Sequence, residues 1–221
     1  MDDALPFLVL AGHAPRLTGT PRPPLPPRPA GSIPVPTLVT QRLRLRDWRD
    51  DDLPAFRALN ADPEVMRHLP GPLDAAASDA LAARAREALA RQGWGSWAVE
   101  LPGEVSFIGM VGLGHVRFVA PFAPAIEVGW RLARTCWGRG YATEAARVVI
   151  DFAFTNLAVS ELVSFTVPGN AASRRVMEKL GFRLDEPAGF SHPHLPPGHP
   201  LARHVLYRLS HEAWVTSRRL P

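Results

Sequence analysis

Residues Arg134–Ala145 read R-T-C-W-G-R-G-Y-A-T-E-A, with two glycines set directly before a strongly helical run and arginines around them. Glycine costs a helix interior about 1 kcal/mol relative to alanine, so Gly138 and Gly140 mark a loosened backbone where the helix begins. A helix N-terminus presents free N–H groups and roughly half a positive charge. Positions without side chains let an anion come close to those groups, and Arg134 and Arg139 add charge. The stretch predicts a phosphate or pyrophosphate cradle. A tight turn that needs positive φ would select the same glycines, and the stretch alone leaves both readings open. Two specific nucleotide motifs fit poorly. A P-loop needs a lysine after its second glycine, and Lys179 is the only lysine of the chain. A dinucleotide fold wants a third glycine where Thr143 stands, and it starts from an early strand of its domain.

Outward from the turn, the helix is expected over Arg139–Leu157. Thr143, Arg147, Asp151 and Thr155 recur every fourth residue as one polar stripe, and most of the rest is apolar, so this helix leans on a sheet. Upstream, Leu38–Asp47 alternates Leu43 and Leu45 with Arg42, Arg44 and Arg46, a strand pattern. Asp50–Asp52 offer a cap for a helix through Asn60, and Asp62-Pro63 opens a second short one. Leu73–Arg91 reads as helix. Trp94–Glu100 and Val105–Val116 read as a hairpin turned at Pro102-Gly103, with Ala125–Ala133 as a further strand. Downstream come a strand at Glu161–Val167, a helix at Asn170–Leu180 ended by Gly181, a last strand at His204–Leu209 and a short segment around Trp214. Strands cluster early and alternate with helices late, so the fold class is α/β or α+β with a mixed sheet.

Ten of the 24 prolines fall in residues 1–36, which read as a disordered arm. The folded domain is assigned to residues 37–221. No segment reaches the roughly 18 apolar residues that span a membrane, and the run Phe7–Ala11 is too short for a secretory signal. One cysteine, Cys136, leaves no internal disulfide and suits a reducing cytoplasm; it reads as a small hydrophobe. The formal charge is +4, but the basic residues are dispersed, so nucleic acid is not an expected partner. The tract His192–His199 holds three prolines and no fixed helical spacing. It reads as a flexible loop rather than a metal site. No metal is expected.

The segment Trp137–Ala145 resembles the acyl-CoA pyrophosphate loop of the GNAT superfamily of N-acetyltransferases, most closely the branch that includes ribosomal-protein N-terminal acetyltransferases. Asn170–Phe182 (N-A-A-S-R-R-V-M-E-K-L-G-F) matches the second block of that family, and Thr40–Arg46 and Glu127–Leu132 also fit. The resemblance spans about Thr40–Leu209. One departure is Thr135, where the superfamily often has Gln or Arg.

The resemblance implies the GNAT fold, a splayed central sheet flanked by helices. It also implies acetyl-CoA as cosubstrate, and transfer of acetyl to an amine without a covalent enzyme intermediate. Main-chain groups of Trp130 and Leu132 are then expected to hold the pantetheine arm. Arg134, Trp137, Gly138, Arg139, Gly140, Tyr141, Ala142 and Thr143 form the pyrophosphate site. Asn170 and Ser173 face the sulfur end, and Arg174 or Arg175 lies near the outer phosphates. Asn170 is equally a helix cap. Glu127 is the candidate general base, with a structural carboxylate paired to Arg131 as its alternative, and Ser173 the candidate proton donor to the thiolate. Trp94 and Trp97 read as core. The acceptor is a peptide or small-molecule amine, and a homodimer follows by analogy. The alternative function is a non-catalytic module that keeps the fold and binds CoA or a protein partner.

Overall fold

The computed structural model describes Leu25 and residues 31–219. Two short strands open it, β1 (Leu38–Val39) and β2 (Arg44–Arg46), where the alternating leucines and arginines suggest a single one. The chain reverses between them because Thr40 closes a turn: its N–H donates to Leu43 O at 2.9 Å and its hydroxyl accepts from Leu43 N–H at 2.9 Å. Helices α1 (Leu53–Ala61) and α2 (Pro63–Met66) follow, the second capped by the Asp62 side chain. The long α3 (Ala75–Gln92) is capped by Asp74, whose side chain accepts from Ala77 N–H, and stopped by Gly93 in the left-handed region.

Strands β3 (Ser96–Leu101) and β4 (Val105–His115) form the expected hairpin, with β5 (Ile126–Leu132) antiparallel to β4. A short 3-10 turn (Arg134–Cys136) leads to α4 (Tyr141–Asn156), then β6 (Glu161–Thr166) and α5 (Ala171–Lys179). The chain ends in β7 (Arg183–Ser191), β8 (Arg203–Ser210) and α6 (His211–Arg219). Neither β7 nor α6 is foreseen in the sequence. β7 is an irregular edge strand that contains Pro187 and Gly189 and shifts register between Asp185 and Phe190. α6 docks on the polar stripe of α4: Trp214 Nε1 donates to Asp151 Oδ1 at 3.1 Å, and Arg147 lies over the indole.

All eight strands form one sheet in the order β1-β2-β3-β4-β5-β6-β8-β7. Every neighbouring pair is antiparallel except β5 and β6, which are parallel and share a single register pair, Glu127 with Val163. Beyond that pair the two strands part. One face of the sheet carries the main core under α4, with Val128, Leu132, Val149 and Ile150 among its members. A second cluster, Val116, Phe118, Phe122, Val163, Phe165 and Leu206, covers the other face at β6 and β8.

Packing reaches upstream of the boundary that proline content marks. Ile33 N–H donates to Ala90 O, Trp97 Nε1 donates to Pro36 O, and Leu25 is buried with its N–H on Asp50 Oδ1. The rest of the expected arm lies outside the described residues. Trp94 and Trp97 are both core, as expected. The His192–His199 tract, expected as a loop, is anchored at two residues and exposed over most of the rest. His192 and Leu195 are buried, and the His192 ring packs at tilted angles among Phe118, Phe165, Phe190 and His204.

Candidate active site

The gap between β5 and β6 opens into a cleft of about 380 Å³, bounded by α2, the turn before α4, and α5. Backbone direction along β5 follows from one bond. Ala133 N–H donates to Ile108 O, and in an antiparallel ladder successive residues turn their main-chain groups to opposite neighbours. Glu127, Gly129 and Arg131 thus bond to β4, while Val128, Trp130 and Leu132 turn theirs toward β6. Two contacts agree: Val128 O accepts from Ser164 Oγ at 2.9 Å, and Leu132 O accepts from Trp137 Nε1 at 2.8 Å. With β6 diverging, the N–H and C=O of Trp130 and the N–H of Leu132 face the gap.

The gap leads to the glycine turn. Gly138 and Gly140 have φ of 73° and 80°, so the need for a left-handed backbone, one of the two readings of these glycines, is real. The other survives beside it. A Cβ on Gly138 would meet nothing within 4 Å, so the space in front of the turn is open. Gly140 is the N-cap of α4, which starts two residues later than the sequence suggests. Trp137, Gly138, Gly140, Tyr141, Ala142 and Thr143 all line the cleft, and so does buried Cys136.

Three of the expected arginines do not. Arg134 lies exposed, its Nε 3.7 Å from Asp62 Oδ2. Arg139 turns outward, its carbonyl accepting from Arg42 Nη1. Arg174 sends Nε to the Tyr207 hydroxyl at 3.0 Å and Nη1 to Pro168 O at 3.2 Å, away from the cleft lining. One residue on, the helix turns by about 100°, and Arg175 lines the cleft together with Lys179. Asn170 caps α5: its Oδ1 accepts from Ser173 N–H and its Nδ2 donates to Thr166 Oγ1. Asn170 and Ser173 both line the cleft.

Glu127 sits at the apex, where the strands part. It is buried, and its Oε2 has no hydrogen-bond partner. Burial pushes its carboxyl up to about 8. The suggested pairing with Arg131 does not form. Four residues of extended strand cover about 13 Å, and the Arg131 guanidinium goes instead to Asn60 Oδ1 at 2.6 Å. Strand parity places Glu127, Arg131, Val163 and Phe165 on one face. His204, two residues from the Phe165 partner Leu206, joins them. Val65, His68 and Leu69 close that side of the cleft. Burial lowers the pKa of both His68 and His204, so these imidazoles are neutral near pH 7. Of the two arginines the sequence reading offers, Arg175 is the one in the cleft; that reading omits Lys179, His68 and His204. It omits Arg42 and Glu144 too, which brace the glycine turn from outside the cleft.

Comparison with known proteins places these features in a family. The model described as acetyltransferase (GNAT) domain matches residues 42–183. The FsC-acetyl coenzyme A-N(2)-transacetylase of Aspergillus fumigatus is 29% identical over 191 residues, covering 83% of this chain and 80% of that one. An acetyltransferase structure from Agrobacterium tumefaciens aligns with a TM-score of 0.64 at 32% identity, covering 83% of this chain and 99% of the other. The fold is also that of Mycobacterium smegmatis RimJ in complex with CoA-disulfide, at a TM-score of 0.60 and 22% identity, over 80% of this chain and 90% of RimJ.

Proposed function

The chain belongs to the GNAT acetyltransferase family, and from that membership we propose that it transfers acetyl from acetyl-CoA to the free amino group of a peptide or small molecule. One observation carries the reading. The parallel strands part at Glu127 and leave main-chain donors and acceptors facing a gap that ends at a glycine turn. The pantetheine arm suits that gap as an added strand on Trp130 and Leu132. The diphosphate suits the N–H groups at Gly138–Ala142, with Arg175 and Lys179 nearby.

The amine nitrogen attacks the thioester carbonyl carbon. An N–C bond forms, the C–S bond breaks, and the sulfur leaves as the CoA thiolate. The proton lost from nitrogen goes to Glu127, directly or through water, and Ser173 hands one to the thiolate while taking one from water; Glu127 then returns its proton to solvent, so both side chains end unchanged. The products are an acetamide and CoA. Glu127 matches a weakly basic amine. An α-amino group, with a pKa of about 7.8, is about 14% neutral at pH 7, whereas a lysine at about 10.4 is about 0.04% neutral. The charge along the cleft suits the acyl donor, with Arg175 and Lys179 at the diphosphate end. Among the described residues the cleft is lined by two carboxyl groups, Glu64 and Glu127, against Arg67, Arg131, Arg175 and Lys179. No helix among the described residues is long and apolar enough to cross a membrane, and one buried cysteine suits a reducing cytoplasm.

Thermal unfolding with acetyl-CoA, set against ATP and NAD, tests the proposal. Ligand at a hundred times its Kd adds about 2.7 kcal/mol, which for a chain of this size raises Tm by about 5–10 °C. Gly138→Pro, which forces φ to about −65°, should lose that shift. Thiol release with an α-amine then reports turnover. Binding without thiol release would favour the non-catalytic module. No shift at millimolar acetyl-CoA would sink the proposal.

A further inference from the structure

The turn between β1 and β2 reaches across to the start of α4. Both oxygens of the Glu144 carboxylate are occupied there. Oε1 accepts from the Thr40 hydroxyl at 2.6 Å and from Arg42 N–H at 2.9 Å. Oε2 accepts from Arg42 Nε at 2.7 Å and lies 2.6 Å from Nη2. Burial works to raise the Glu144 pKa, but these bonds and the Arg42 charge outweigh it and hold the carboxyl below its ordinary range. The remaining arm of the guanidinium, Nη1, donates to Arg139 O at 3.1 Å, and its carbon lies 4.6 Å from the Tyr141 ring centre. One side chain thus touches residues 139, 141 and 144.

The peptide plane turns that contact into a constraint. In a trans peptide the C=O of one residue and the N–H of the next point in opposite directions. Arg42 does not line the cleft, whereas Gly140 does. An Arg139 oxygen held on Arg42 therefore leaves Gly140 N–H turned to the cleft side. Glycines flank Arg139 on both sides, and glycine tolerates either sign of φ, so nothing intrinsic prevents this peptide from flipping. A flipped peptide would aim a carbonyl oxygen at an anion.

We infer that Arg42, braced by Glu144 and Thr40, is a positioning residue that locks the Arg139–Gly140 peptide with its N–H toward the cleft and so sets affinity for the diphosphate of acetyl-CoA. The inference rests on the acetyltransferase reading. It assigns a partner to a residue 97 positions away in sequence that no local motif connects to the turn.

The test compares two acyl donors, acetyl-CoA and S-acetylpantetheine, which has the thioester arm but no diphosphate. In Arg42→Ala the Kd and KM for acetyl-CoA should rise about tenfold, the scale of one hydrogen bond to a charged group, with kcat at saturation unchanged. The KM for S-acetylpantetheine should stay within about twofold, since it has no group that reaches the glycine turn. Arg42→Lys keeps the charge but not the planar fork, and should fall between. Should Arg42→Ala fail to fold, Glu144→Gln keeps the shape and should weaken acetyl-CoA alone by about threefold. Equal losses for both donors would mean a general structural role and overturn the inference, as would unchanged acetyl-CoA binding. Wild-type protein that binds no acetyl-CoA would overturn the parent reading and this one with it.

Discussion

Glu127→Gln removes one ionisable group and almost no volume, which makes it the cleanest probe of the cleft apex. The carboxyl moves from 4.5 to about 8 on folding because it is buried and its Oε2 lacks a partner. A group whose folded pKa is raised contributes stability that is fully present below the unfolded pKa and is lost as pH rises through the folded one. The window here is pH 4.5 to about 8. Within it the wild type loses about 1.4 kcal/mol per pH unit relative to the glutamine variant. For a chain of this size that is about 3–5 °C of Tm per pH unit. Melting curves of both proteins at pH 5.5, 6.5 and 7.5 should therefore diverge, the variant gaining on the wild type by about 5–10 °C in total. Parallel curves would refute the reasoning, because a carboxylate with an ordinary pKa is already ionised across this range. The same variant carries the catalytic side of the argument. Loss of a general base costs about 10²–10⁴ in rate, and kcat/KM of the variant should rise with pH only through deprotonation of the acceptor amine, without the further rise that ionisation of Glu127 gives the wild type.

The aromatic cluster over β6 and β8 should give the opposite pH response. Burial and the neighbouring His204 and His194 push His192 down to about 3 from 6.5, so the wild type should lose stability as pH falls through that interval. His192→Phe should escape this loss, and urea midpoints at pH 6, 5 and 4 would show the gap widening by about 1.4 kcal/mol per unit. On α5, Arg175→Ala should raise the KM for acetyl-CoA several-fold, while Arg174→Ala should leave it unchanged and lower Tm through the lost Tyr207 contact. Steady-state kinetics with acetyl-CoA as the varied substrate would separate the two.

What could be read from sequence was what a local period or a capping rule encodes. The alternation along β5 put Glu127 and Arg131 on one face, and the glycine pair marked the start of α4. Asn170 announced itself as a cap at α5. The misses have physical causes. β7 shows no period because an edge strand with a proline, a glycine and a register shift buries no continuous face. The leucine–arginine alternation ran through the Thr40 turn because a hydroxyl closing a loop leaves no mark on hydrophobic pattern. Arg174 and Arg175 are indistinguishable in a motif but differ by a third of a helical turn. Parting of β5 from β6 is a property of two strands together, and Arg42 meets Glu144 only after the whole sheet has formed.

The single parallel junction has a consequence for how the molecule holds together. From β1 to β5 each strand pairs with its neighbour in sequence, and β6 to β8 form a second antiparallel unit. Chain entropy favours assembling each unit separately, because its contacts are short-range. Within the sheet the seam between them rests on one register pair and the Ser164–Val128 bond, and the α4 crossover and the core beneath it carry the rest of the joint. A molecule that lies down along the seam would act as mortar between two bricks. The acyl donor would then be a structural member of the sheet for as long as it stayed bound, and each release of CoA would return the two halves to their looser joint.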